Sequence, residues 1–552
     1  MFDTRTDAGS NRVLLRLRAL YGRLLGTDLN KTYKHRLAAL LDNGGSSLLA
    51  GGRRGVEKES LRITPAGLIA DTAHPSALGS ALTHKYITTD YSEALPEFVT
   101  TPETSAWAVT QWLCDIHQYV YSRIGDEMLW PMSMPCRLRG EADIAIAQYG
   151  SSNVGRMKTI YRQGLGNRYG RYMQAIAGIH YNYSLPESFW STWATIVGRD
   201  NDQKLKSDFY LGLVRNVRRL DWLVLYLYGA SPVVCKSFLV NGNADLQELA
   251  DGTFFGPYAT SLRMSDLGYQ NSNQSSVQVS ANSLGEYIHD LGSAIATPNP
   301  DYLVLGLKRG DEYMQLNANQ LQIENEFYST IRPKRVARSG ERPTTALQRG
   351  GIEYVELRAL DLSPFDPVGI SHEQQLFLEA FLIYCLINPS PPINDAEREG
   401  NQANHLAIAR RGREPRLKLQ RGPKAIDRAD WARAIVEEIE PICAMLDEGS
   451  EAAGGTGGYR AAHAAALAAA SDTEATYSAR LLRELEESGE GFADFGLSLA
   501  NNFRGYFLGI GDDFNQHLAE LEQESVDSLQ RQRDIEASDT LSLDAYLDKY
   551  YA

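Results

Sequence analysis

Carboxylates stand in this chain where a strand pattern calls for apolar residues. In residues 55–63 (GVEKESLRI) an extended backbone places Glu57, Glu59, Leu61 and Ile63 on one face. Burying an ionised carboxylate costs several kcal/mol unless something compensates, and a divalent cation is the natural compensation. The plain alternative is an exposed strand end with solvated glutamates. Residues 88–98 add Asp90, Glu93 and Glu97 in one short run, where Pro96 disfavours a helix interior or a central strand. Residues 350–360 put Glu356 and Arg358 on one face with Tyr354 and Leu360, and an internal salt bridge is the simplest account of that pair. Residues 177–184 put His180, Asn182 and Ser184 on one face of a tyrosine-rich strand. A strand histidine alone is more often structural. Four such segments together point to magnesium, which takes carboxylate oxygens plus substrate phosphates. Arg358, Arg332 and Lys334 are candidates to balance phosphate charge, although 331–335 also reads as an ordinary basic turn.

The elements that must position these groups follow from periodicity. Residues 1–50 read as an N-terminal helical extension, broken at Gly44 to Ser47. Residues 51–390 read as the catalytic core: short strands over 51–101, 172–185 and 320–362, with a helix over 104–130. Residues 391–552 read as a mainly helical C-terminal region packed on that core. Strands and helices do not alternate as βαβ units, so the expected class is α+β with an antiparallel sheet. Residues 397–424 are basic and polar; they read as a solvated linker, or as a contact for nucleotide phosphates. The glycine run 454–458 lacks the Gly-Lys-Ser/Thr of a phosphate loop and reads as a helix–helix connection. His463 reads as a plain helix residue.

Composition narrows the class. The chain has 552 residues, 43% of them hydrophobic, enough for a large core. A net charge of −14 argues against general nucleic-acid binding. Five scattered cysteines with no CxxC pair favour a reducing compartment, hence the cytoplasm. Apolar stretches at 222–228 and 376–387 are too short or interrupted to span a bilayer. Residues 13–25 are arginine-rich and amphipathic; Asp3 and Asp7 favour a docked surface helix over a targeting segment. No coiled-coil heptads appear, and a monomer is expected.

The order of motifs resembles the gammaproteobacterial type of glutamate–cysteine ligase. The matching passages include GVEKESLR (55–62), HPSALGSALTHKYITTDYSEALPEF (74–98), AQYGSSNVGRMKTIYRQGLGNRYGRYMQ (147–174), GIHYNYSLP (178–186), TSLRMSDLGY (260–269), LQIENEFYSTIRPKR (321–335) and GGIEYVELRALDLSPF (350–365). The resemblance implies a glutamine-synthetase-like fold, a curved antiparallel sheet forming a funnel surrounded by helices. It also implies a reaction. Glutamate's γ-carboxylate attacks the γ-phosphate of ATP, and the amine of cysteine displaces phosphate from the γ-glutamyl phosphate, giving γ-glutamylcysteine, the first intermediate of glutathione synthesis. Mg2+ is the implied cofactor, with Mn2+ as a substitute.

By the same resemblance Glu57, Glu59, Asp90, Glu97 and Glu356 match acidic positions near the metals. His180 matches a site histidine facing the phosphoryl group or a metal, and Arg358 a position suited to the transferred phosphate. Tyr91, Tyr161, Leu165, Gln174, Arg263, Tyr269 and Tyr328 match the cysteine pocket. Tyr91 and Pro96 depart from the family pattern, which has phenylalanine and an apolar residue there. The competing readings are a ligase of this fold with another amine acceptor, and an inactive relative; the intact pocket and the five carboxylates speak against them. A bifunctional glutathione-making enzyme would carry an appended ATP-binding domain, which the alanine-rich helical tail does not resemble.

Overall fold

The computed structural model describes residues 28–135, 137–239, 245–268, 277–338 and 340–551. Its centre is one six-stranded sheet in which every neighbouring pair is antiparallel: β1 (Arg53–Glu59), β2 (Ile87–Thr89), β3 (Pro96–Val99), β4 (Ile179–Ser184), β5 (Ile331–Lys334) and β6 (Tyr354–Leu360). The spatial order is β5-β6-β4-β1-β3-β2. Register makes the two faces chemically different. Glu57 lies opposite His180, Glu59 opposite Glu97, and Glu356 opposite both Asn182 and Arg332. The alternate residues Val56, Phe98, Tyr181, Val355 and Leu357 point the other way and are buried.

Helices cover that second face and the flanks: α1 (Asp28–Asp42), α2 (Ala106–Tyr121), α3 (Asn153–Tyr169), α4 (Gln203–Tyr228), α5 (His372–Ile387), α6 (Asp395–Arg411), α7 (Arg428–Ala452), α8 (Tyr459–Ser471), α9 (Leu518–Ser538) and α10 (Leu543–Tyr551). α5 starts at a capping box of Ser371 and Gln374, and from Gln374 to Ile387 every residue is buried. It lies behind the sheet, where the Tyr181 hydroxyl donates to the Gln375 carbonyl at 3.0 Å. α1 joins this layer through Tyr33, whose hydroxyl donates to the Glu438 carbonyl of α7 at 2.7 Å. The C-terminal helices return to the core. Ser528 of α9 accepts the Ser80 amide at 3.0 Å, and Tyr551 of α10 donates to the Gln322 carbonyl at 2.8 Å.

Three expectations change. Residues 320–362 are not strand throughout, because a helix at Pro343–Gly350 separates β5 from β6; proline at its first turn costs no hydrogen bond. Residues 397–424 are not a linker. α6 occupies most of them, capped by Asn394 with Asp395 and Glu397 in its first turn and Arg410 and Arg411 in its last. A hairpin of Lys418–Arg421 and Lys424–Asp427 follows. Charge complementary to the helix dipole masked a helix with only a narrow buried stripe. Pro96 does enter an internal strand, as its first residue, where the missing N–H is tolerated. The run 454–458 does join α7 to α8, and His463 lies in α8 with Nε2 2.9 Å from the Val436 carbonyl. No helix among the described residues is long and apolar enough to cross a membrane. Residues 13–25 lie outside the described residues.

Candidate active site

The charged face is built by β1, β3, β4 and β6. Glu57 receives hydrogen bonds from both neighbours on β4: Asn182 Nδ2 donates to Oε1 at 2.9 Å, and His180 Nδ1 lies 2.9 Å from Oε2. Glu59 Oε2 accepts the Gly178 amide at 2.7 Å. Glu356 Oε1 faces Lys334 Nζ at 3.2 Å and Arg358 Nη1 at 3.3 Å, while its Oε2 is buried with no hydrogen-bond partner. A bulge between Leu357 and Leu360 inserts one extra residue against β4, and Arg358 stands in it beside His180, Nη1 to Nδ1 being 3.4 Å. Ligand atoms of Glu57, Glu97 and His180 all lie within 4.8 Å of one another.

Electrostatics separates the carboxylates into two kinds. Burial opposes ionisation of Glu57 and the Glu356 charge adds to that, yet the His180 hydrogen bond carries it below its ordinary value. Burial likewise opposes ionisation of Glu356, but Lys334 and Arg358 hold it well below the usual range. Glu59 is pushed up to about 8 by burial and by the neighbouring Asp90 charge, against Arg263 and Arg358. Glu97 is pushed well above the usual range by burial and by Glu57, Asp90 and Glu59. Burial and then Arg358 lower His180, which favours the neutral imidazole. Oxygen-rich ligands, two carboxyls pushed towards protonation by burial and by their charged neighbours, and one orphaned buried oxygen fit a hard divalent cation.

Most predicted residues lie on or beside this face. Asp90 follows β2, and its charge acts on Glu59 and Glu97. Tyr91 is buried against α3, where a Cβ on Gly166 would lie 2.4 Å from its hydroxyl. Tyr161 and Leu165 come from α3; Tyr161 packs with Met157, Leu316 and α10. Gln174 lies in the short turn Met173–Ala175 leading to β4. Arg263 and Tyr328 meet at the Met264 sulfur, 3.0 Å from Arg263 Nη1 and 3.2 Å from the Tyr328 hydroxyl. Arg332 turns Nη2 to the carbonyls of Asn325 and Phe327, closing the turn before β5. Tyr269 lies outside the described residues. Glu93 points elsewhere, accepting the amides of His74 at 2.6 Å and Gln148 at 2.8 Å. Gly178 and Asp361 were missed by sequence reading. A backbone N–H carries no residue-type signal, and an aspartate one residue past a strand looks like a turn.

Comparison with known proteins decides the family. The profile described as Glutamate-cysteine ligase matches residues 37–408, more than half of the chain. The chain belongs to the glutamate–cysteine ligase family. It is 48% identical over 528 residues to the glutamate–cysteine ligase of Alcanivorax borkumensis, covering 94% of this chain and 99% of that one. It is 45% identical over 530 residues to that of Azotobacter vinelandii, covering 95% and 99%. Among solved structures, glutamate–cysteine ligase from Francisella tularensis in complex with AMP superposes with a TM-score of 0.84 at 35% identity, covering 91% of this chain and 98% of that one. A bifunctional glutathione synthetase from Pasteurella multocida gives 0.67 at 26% identity, covering 85% of this chain and 55% of that one. The antiparallel sheet with its helical surround is thus the glutamine-synthetase-like fold that the motifs implied. The chain is an ATP-dependent ligase, and the family's reaction, glutamate joined to cysteine, is the first step of glutathione synthesis.

Proposed function

We propose that the charged face of the sheet is where this ligase activates glutamate with ATP and passes the γ-glutamyl group to cysteine. The observation that carries the reading is Glu356: a buried carboxylate with one oxygen held by Lys334 and Arg358 and the other without a partner, facing Glu57, Glu59 and Glu97 across one face. Glu57, Glu59, Asp90, Glu97, Glu356 and His180 would hold Mg2+. When bound, Mg2+ neutralises triphosphate oxygens and the charge that develops during phosphoryl transfer.

The chain's own groups do the rest. Arg358, held by Glu356, meets charge on the transferring phosphoryl oxygens, with Lys334 beside it. In the tautomer with hydrogen on Nδ1, neutral His180 donates a hydrogen bond to Glu57, which keeps that carboxylate ionised and oriented. Arg332 stands further along the same strand as a contact for phosphate. On the far side Tyr91, Tyr161, Leu165, Gln174, Arg263 and Tyr328 form the acceptor pocket. Its aromatic walls exclude water, so the acyl phosphate meets an amine before it hydrolyses. The reading places a monomeric enzyme in the cytoplasm, in keeping with the free thiols Cys114, Cys235, Cys385 and Cys443.

The test is ADP release with glutamate and Mg2+, comparing cysteine, serine, alanine, 2-aminobutyrate and ammonia as acceptors. Glutamate-dependent release strongest with cysteine is expected. Release favouring another amine would replace the acceptor and keep the mechanism. Absence of glutamate-dependent release with every acceptor would overturn the site.

A further inference from the structure

Asp361 follows β6 by one residue and lies at the far end of the face that carries Glu356 and Arg358. Its side chain is fully buried, and an isolated buried carboxylate would cost several kcal/mol. Four groups compensate. Oδ2 accepts the Ala230 amide at 2.8 Å and the Ser231 hydroxyl at 2.7 Å. Oδ1 accepts the Ser261 hydroxyl at 3.0 Å and faces Arg263 Nη1 at 3.5 Å. Both oxygens are therefore fixed by donors from two separate loops, and the carboxylate cannot swing.

Arg263 is held on its opposite side as well. Nη2 donates to the Arg358 carbonyl at 3.2 Å. The guanidinium lies over Gly178, where a Cβ would stand 2.0 Å from Nη2, so no other residue type leaves room for it. The Gly178 amide is the donor to Glu59. Arg263 thus sits between a fixed acid and the metal-side carboxylates, at the boundary of the two half-sites. The same loop is anchored one residue later, because His405 of α6 bridges Asp221 of α4 (3.2 Å) and the Met264 carbonyl (3.1 Å).

We infer that Asp361 is the positioning residue of the acceptor subsite: it aims the Arg263 guanidinium at the carboxylate of the incoming amino acid. The inference rests on the reading of Arg263 as an acceptor ligand. Asp361 does not touch substrate. Burial raises its pKa, and Arg263 and then the neutral donors oppose that shift. The neutral donors also hold the carboxylate rigid, so that its charge orients one arginine.

Asp361→Asn is a gentle variant. The amide oxygen can keep the Ala230 and Ser231 bonds, and the amide nitrogen can donate to the Ser261 hydroxyl, which rotates to accept. What is lost is the attraction on Arg263. We expect the KM for cysteine to rise at least tenfold, kcat at saturating cysteine to stay within threefold, and the KM values for glutamate and ATP to stay within twofold. In an Arg263→Ala background the same substitution should raise the cysteine KM no further. Ser261→Ala, which removes one neutral donor and leaves the ion pair, should raise it about threefold and serves if Asp361→Asn does not fold. A wild-type cysteine KM in Asp361→Asn, or a loss of kcat and melting temperature without a KM change, would overturn the inference. If Arg263→Ala alone leaves the cysteine KM unchanged, the acceptor reading fails and takes this inference with it. If Arg263→Ala raises it and Asp361→Asn does not, only this inference fails.

Discussion

The two faces of β1 bury charge in opposite ways. On the back face, Arg54 meets Glu379 of α5 in a two-pronged pair at 2.9 and 3.0 Å, and the Tyr459 hydroxyl donates to the same carboxylate at 2.5 Å. Arg54 there meets one anion, and hydrogen bonds complete that carboxylate. Buried Lys58 on the same face meets the neutral partner His117 at 2.6 Å, and burial lowers its pKa to about 7. On the front face, Glu57, Glu59, Asp90, Glu97 and Glu356 outnumber Arg332, Lys334 and Arg358 by two. Two of those carboxyls are driven towards protonation by their neighbours. The back cluster is complete in the protein alone and serves folding. With all five carboxylates ionised the front cluster is two positive charges short, the shortage that the proposed divalent ion would fill as it displaces their protons.

The sharpest break in that contrast comes from neutralising front-face acids. Glu59→Gln and Glu356→Gln should each cut ligation on the order of a thousandfold, several kcal/mol of phosphoryl-transfer stabilisation. The metal-free Glu59→Gln protein should melt no lower than the parent at pH 8, since the substitution removes like-charge repulsion. Ordinary turnover in either variant would sink the metal assignment. The back face should respond inversely. Glu379→Gln leaves Arg54 buried without its counter-ion and should cost about 3–5 kcal/mol of stability. Its folded fraction should keep parental KM values, as read by denaturant unfolding alongside kinetics.

A smaller effect distinguishes the faces by pH. Glu59 is held at about 8 in the folded protein against an ordinary 4.5. Between those values the folded chain binds a proton that the unfolded chain has lost, so stability falls as pH rises. The slope is at most about 1.4 kcal/mol per pH unit for each such group, Glu97 adding in the same direction. Glu57 and Glu356, held low, act only below the ordinary carboxylate range. Burial lowers the pKa values of His74, His84, His117 and Lys58, which act in the opposite direction. Thermal melts from pH 5.5 to 8 are therefore read as the difference from Glu59→Gln. That difference should show the decline without Mg2+ and its removal with Mg2+, whose binding displaces the protons. A flat metal-free difference that Mg2+ leaves unchanged would mean that these carboxylates do not form the ion site.

How far the sequence could carry this reading depends on the range of each interaction. Glu57 and Glu59 were legible because period two acts within one strand. His180 and Glu356 were legible for the same reason, and pairing in register then brought all four together. The bulge at Arg358 was not legible, because it exists only relative to β4. Glu93 shows the limit in the other direction: its spacing matches Asp90 and Glu97, but it binds two loop amides instead of joining them. Asp361 stayed hidden because its donors stand about a hundred or more residues earlier in the chain. α6 stayed hidden because its stripe of Asn404, His405, Ile408 and Ala409 is too polar and narrow to stand out from its charges.

The smallest prediction concerns Tyr91, a residue of the proposed acceptor pocket at which the sequence resemblance implies phenylalanine. Tyr91 is fully buried, its hydroxyl has no hydrogen-bond partner, and burial raises its pKa to about 12. It abuts α3 at Gly166, so the phenol oxygen fills the space a side chain there would take. A buried hydroxyl without a partner costs free energy that a phenyl ring avoids, and Phe has the same ring. Tyr91→Phe should therefore stabilise the protein by about 1 kcal/mol at most. If the ring alone forms the pocket wall, the cysteine KM should change less than twofold, as should the ratio of cysteine to 2-aminobutyrate turnover. A larger shift in that ratio would show the hydroxyl reaching the acceptor's side chain, and would make Tyr91 a determinant of thiol preference in place of a packing residue behind it.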